Sequence, residues 1–100
     1  MLLIIGRRWL KFDVYLLRFS EGSEIKQHKD TVEAGQHFRL NIILKNAIEG
    51  GVFISDGVLF QTKHIKFFRP DIHQHGVTKV IKGRRYVLSI GWVTGTQSTQ

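Results

Sequence analysis

Cysteine is absent from the 100 residues. That excludes disulfides and thiolate metal sites, so any metal must sit on His, Asp or Glu. The lack of thiols suits a reducing compartment, and a cytoplasmic location is the expectation. Also missing is an apolar run long enough to span a bilayer, so no membrane attachment is expected. The opening MLLIIGRRWL lacks the longer apolar region and small-residue cleavage site of a signal peptide and reads as an apolar strand. No stretch carries a helical apolar stripe. What is present is a series of short apolar or alternating runs with turn residues at close intervals, the pattern of an all-β sandwich or jelly roll.

A chain of this length, 42% hydrophobic, closes one small core, so a single domain over 1–100 is expected, with a frayed Thr/Gln/Ser/Gly tail from about 94. The net charge of +7 attracts polyanions, nucleic acid first among them. The basic residues are nevertheless scattered through the strands rather than gathered in one block, and the charge alone assigns no partner.

Strands are predicted over 2–5, 10–19, 24–28, 38–45, 52–55, 58–61, 63–68 and 85–93, and a strand or extended loop over 73–80. Asp56-Gly57 predicts a hairpin between 52–55 and 58–61, and Lys82-Gly83 a turn into the last strand. In the clearest strand Phe38, Leu40, Ile42 and Leu44 share one face, opposite His37, Arg39, Asn41, Ile43 and Lys45. In the last, Arg85, Val87, Ser89 and Gly91 share a face that is small after the arginine and leaves room for a ligand. Tyr86, Leu88, Ile90 and Trp92 make the bulky opposite face.

Residues two apart on a strand project to one side, so His28 and Asp30 aim an imidazole and a carboxylate at one point. A third nitrogen ligand would complete the set of two histidines and one carboxylate used for non-haem Fe(II). His73 and His75 share a face of their predicted strand, and either supplies that nitrogen. The ten-residue step to Arg85 and the Val77 that follows favour His75. Arg85 is a fork suited to bidentate capture of a carboxylate, whereas Arg84 would point to the bulky apolar face. Arg39 and Asn41 are weaker pocket candidates, and His37 and His64 read as surface or satisfied histidines.

The run from His75 through Val77, Val80, Gly83, Arg85-Tyr86 and Leu88 to Trp92 resembles the C-terminal end of the Fe(II)/2-oxoglutarate-dependent oxygenases, in particular the prolyl 4-hydroxylase-like branch. Phe19-Ser-Glu-Gly22 leading into His28-Lys29-Asp30 resembles that branch's Y-x-x-G segment and its H-x-D. Phe38-Arg39-Leu40 followed by Glu49-Gly50-Gly51 resembles its arginine strand and Gly-Gly turn. The resemblance implies a double-stranded β-helix in which His28, Asp30 and His75 bind Fe(II) and Arg85 takes the distal carboxylate of 2-oxoglutarate. Dioxygen would be consumed, 2-oxoglutarate decarboxylated to succinate and a substrate hydroxylated. A protein substrate is implied by the branch, and nucleic acid is kept open by the charge. Phe19 stands where a tyrosine is common in that branch, so a hydroxyl contact to the co-substrate is missing. Members of the family usually carry N-terminal helices over the outer face of the larger sheet. Here the first strands are expected to cover part of that face, and a second subunit in a homodimer the rest. The rival reading is a non-catalytic β-sandwich that binds an acidic partner or nucleic acid.

Overall fold

The computed structural model describes residues 2–9, 11–30 and 35–94. Residues 31–34 of the predicted 30–35 loop and 95–100 of the predicted tail lie outside the described residues. Among the described residues there are strands and no helix: β1 (Leu2–Arg8), β2 (Phe12–Phe19), β3 (Ile25–His28), β4 (Gln36–Lys45), β5 (Glu49–Gly50), β6 (Phe53–Ser55), β7 (Phe60–Gln61), β8 (Ile65–Phe68), β9 (His75–Val77), β10 (Val80–Lys82) and β11 (Arg85–Thr94). No helix is long and apolar enough to cross a membrane.

A six-stranded sheet has the order β1-β2-β11-β4-β8-β7. Against it lie β3-β9-β6 and the short pair β10-β5. From β2 onward the chain passes back and forth between these layers, with β5–β6 and β9–β10 on the smaller side and β7–β8 in the large sheet, and every pairing is antiparallel. This is the jelly-roll topology that the close turn spacing predicted. Phe19, Ile43 and Val87 from the large sheet meet Val77 and Val80 from the opposite layer in one buried cluster. That cluster closes one end of the sandwich and leaves the space beside it as a cavity.

The large sheet is more apolar outside than inside. Phe38 pairs with Trp92, Leu40 with Ile90 and Ile42 with Leu88 across β4 and β11, and the Phe38, Phe67 and Trp92 rings stack on the outer face at 5.8–6.1 Å. The face of β4 that carries Arg39 and Asn41 looks inward. A bulge between Tyr86 and Val87 sets Ile43 opposite Val87 and Lys45 opposite Tyr86. Leu44 is the extra residue and turns out to solvent, while Ile43 enters the core.

The expectations for the first strand and for Asp56-Gly57 are corrected. Gly6 and Arg7-Arg8 do not interrupt the first strand; β1 runs to Arg8 and pairs with β2 along its whole length. It therefore widens the large sheet in its own plane rather than folding over the outer face, and Ile5 at the edge is 57% exposed. Asp56-Gly57 is not a hairpin turn. Gly57 has no positive φ, as a type I′ turn demands, and Asp56 instead extends the β6–β9 ladder by bonding both ways to Gln74. β7 consequently pairs with β8. The segment over 73–80, expected as a strand or extended loop, holds β9 and the start of β10, with His73 in the turn before β9. Trp9 is half exposed, its ring against that of Phe12. The Lys82-Gly83 turn forms as expected, with Gly83 at φ 87°, where any side chain would be strained.

Candidate functional site

His28 ends β3 and His75 begins β9, and the two are register partners on adjacent strands. Their rings lie 4.5 Å apart. Asp30 follows two residues after His28, its backbone N–H held by the Pro70 carbonyl at 2.7 Å. One carboxylate oxygen lies 3.2 Å from His28 Nε2 and the other 3.5 Å from His75 Nε2. Both Nδ1 atoms face backbone carbonyls, His28 that of Lys26 at 2.8 Å and His75 that of His73 at 2.9 Å. A carbonyl only accepts, so each Nδ1 carries the proton and each neutral ring presents the Nε2 lone pair to the shared point. Such a carbonyl behind a histidine is the usual orienting partner of a metal ligand.

The donor set fits a divalent ion. The ligand atoms of His28, Asp30 and His75 all lie within 4.8 Å of one another, and donors about 2.1 Å from one ion at right angles stand about 3 Å apart. Two nitrogens and one carboxylate leave three positions open on an octahedral ion. The set is also electrostatically tuned. When His75 is protonated it can donate to Asp30 through Nε2, and that bond, opposed by burial, holds the Asp30 carboxyl below the usual range. Burial pulls His75 down, but the bond to Asp30 and the His73 carbonyl together carry it above the ordinary histidine value.

A cavity of about 420 Å³ runs from these three residues into the sandwich and reaches Arg85. Arg85 is 2% exposed. Its guanidinium lies 5.2 Å over the Phe19 ring and has no ion pair or hydrogen bond among the described residues. Burial alone lowers its pKa to about 10, which still leaves a full positive charge at neutral pH. The wall between Arg85 and the metal cluster is polar. Arg39 Nη1 donates to Ser89 Oγ at 2.7 Å and Ser89 Oγ donates to Asn41 Oδ1 at 2.6 Å. Arg39 Nη2 donates to Asp13 Oδ2 and is equally close, 2.9 Å, to Oδ1.

The predicted site residues His28, Asp30, His75, Arg85, Phe19, Arg39 and Asn41 all line this one cavity. His73 does not join them. It accepts the Arg69 backbone N–H through Nδ1 at 3.3 Å and packs over Gly57. Arg84 is exposed. His37 is not satisfied, since its buried Nδ1 has no partner.

Sequence reasoning missed Asp13, Gly91 and Gly76. Asp13 is a lone carboxylate inside the apolar β2, a signal that it pairs across the interior. A Cβ on Gly91 would lie 2.3 Å from Arg39 Nη2, so glycine there lets the Arg39 side chain cross β11. Gly76 faces the bulge of β3, where Lys26 and Gln27 oppose one residue of β9. The bulge turns the Lys26 carbonyl toward His28 Nδ1. A Cβ at 76 would meet the Ile25 carbonyl oxygen at 2.5 Å and the Gln27 nitrogen at 3.0 Å, both backbone atoms that cannot swing aside. Gly76→Ala is therefore expected to push β3 from β9, cost about 2–3 kcal/mol and weaken metal binding with it. Urea unfolding and a Co(II) titration of the same sample check this. Stability within 0.5 kcal/mol of wild type, on the order of an ordinary surface change, would show that the bulge absorbs the methyl.

No protein-family model and no curated protein matches the sequence. Among solved structures, an RmlC-like cupin protein from Desulfovibrio desulfuricans superposes with a TM-score of 0.61, at 18% identity over 92% of this chain and 80% of that one. At that identity the likeness speaks for the fold, and it agrees with the strand order above. The chain has the double-stranded β-helix fold of the cupins, with a His-His-Asp cluster that can hold a metal ion.

Proposed function

We propose that the chain is an Fe(II)- and 2-oxoglutarate-dependent dioxygenase of the prolyl 4-hydroxylase-like type, acting on a protein substrate. One observation carries this reading: a buried guanidinium, unpaired among the described residues, stands in the same cavity as a two-histidine, one-carboxylate cluster with open coordination positions. An uncompensated buried charge is costly and is retained where a ligand supplies the opposite charge. The ligand must reach the metal cluster and end in a carboxylate at Arg85, which a small diacid does.

His28 and His75 would hold the ion through Nε2 and Asp30 through its carboxylate. Arg85 would bind the distal carboxylate, with Phe19 beneath the guanidinium and no hydroxyl there to share the contact. Asn41 and Ser89 form a polar wall that orients the diacid, and Phe53, Phe68 and Val77 exclude water on the other side. When bound, the iron and its co-substrate supply the oxidation: dioxygen and 2-oxoglutarate become succinate and carbon dioxide, and one oxygen atom enters a substrate C–H bond.

The test is spectroscopic. Anaerobic addition of Fe(II) and 2-oxoglutarate should give a weak visible charge-transfer band that is missing in His75→Ala. Fe(II) binding without the band would make the chain a metal-holding cupin of another kind.

A further inference from the structure

One member of the metal cluster, Asp30, stands in the wall between two cavities. Beside the one that ends at Arg85 lies an outer cavity of about 330 Å³, where the β1–β2 connection, the start of β4 and the end of β11 meet. Tyr15, Asp30 and Arg39 line both. The outer cavity also carries Arg8, Lys11 and His37.

Its charges do not balance. Asp13 is taken up by Arg39, and Asp30 is turned to the two histidines. Arg8 and Lys11 remain, and neither side chain makes an ion pair or hydrogen bond among the described residues. The buried Nδ1 of His37 also lacks a partner.

We propose that this outer cavity binds an oxyanion carried by the primary substrate, a carboxylate or a phosphate, through Arg8, Lys11 and His37. Asp30 then lies between that anion and the one at Arg85, so a substrate anchored here presents its body to the open side of the metal cluster. The inference rests on the reading of the inner cavity as the co-substrate site. It also gives the net charge of +7 a local use, since a cationic mouth draws anions toward the site.

Amide chemical-shift titration of the full-length metal-free protein tests it, with inorganic phosphate and with acetate as separate probes at constant ionic strength. At least one probe should move the Arg8, Lys11 and His37 signals saturably. The Arg8→Gln/Lys11→Gln double variant, which changes two exposed side chains, should bind it at least about tenfold more weakly. Saturation by phosphate alone assigns a phosphorylated substrate, and saturation by acetate alone a carboxylate one. If neither probe moves these signals, or the double variant binds as wild type does, the outer site is refuted even where the iron and 2-oxoglutarate band forms. Anion binding here with no such band would sink the dioxygenase reading alone.

Discussion

Replacing Arg85 with methionine is expected to make the metal-free protein more stable and unable to hold its co-substrate. Arg85 is 2% exposed, its guanidinium lies over the Phe19 ring with no ion pair or hydrogen bond among the described residues, and burial lowers its pKa to about 10. A basic group whose folded pKa lies below its unfolded value destabilises the folded state at every pH below the folded value. At neutral pH that penalty is present in full. Methionine keeps the apolar stem and removes the charge. The lost cation–π contact, about 1 kcal/mol, offsets part of the gain, and a net stabilisation of about 1–3 kcal/mol remains. For a domain of this size that raises the unfolding midpoint by several degrees. 2-Oxoglutarate should bind roughly 100-fold more weakly, because its distal carboxylate would be buried without a partner. Calorimetric unfolding and an anaerobic 2-oxoglutarate titration read both effects. A variant that loses stability while keeping affinity would mean that Arg85 serves packing and not a ligand.

The opposed signs reflect a fold arranged around a cavity rather than a dense core. This explains what could and could not be read from the residues. The period of two along a strand was enough to put His28 beside Asp30, and to put Arg85 and Ser89 on one side of β11. Which side of β4 is interior was not readable from its own pattern. Apolar Phe38, Leu40 and Ile42 look like a core face, yet Arg39 and Asn41 point inward, because Asp13 and Ser89 meet them there with hydrogen bonds across the interior. Pairing between distant segments was equally hidden. Asp56-Gly57 has the composition of a tight hairpin, but β6 gains its ladder from β9, twenty-odd residues later, and β7 gains its own from β8. Local propensity cannot weigh such long-range partners against each other. The choice of His75 over His73 depended on the same kind of fact. The turn that ends before β9 removes His73 from the strand face the two appeared to share.

Asp30→Asn should abolish metal binding while leaving the fold in place. Both imidazoles are oriented by carbonyls behind them, not by Asp30, and an asparagine amide can still donate to one Nε2 lone pair. Loss of the anionic oxygen is expected to weaken Fe(II) binding by more than about 100-fold, beyond what outer hydrogen-bond partners alone contribute. The pH dependence supplies a second reading. Asp30, held below its ordinary value of 3.8, adds stability above that pH and loses it as pH falls through its folded value. His75, raised above 6.5, adds stability that is complete below 6.5 and is lost as pH rises through its folded value. The pair therefore stabilises the metal-free protein most between about pH 4 and 6.5, by less than about 1 kcal/mol because Asp30 is partly open to solvent. Metal affinity runs the other way, rising with pH as protons leave His75. In Asp30→Asn the stability maximum should disappear, and burial should carry His75 below its ordinary value, which its ring proton resonances report. If the variant keeps the maximum, the carboxylate that raises His75 is not Asp30. If it keeps the metal, the ion is held by some other group of ligands.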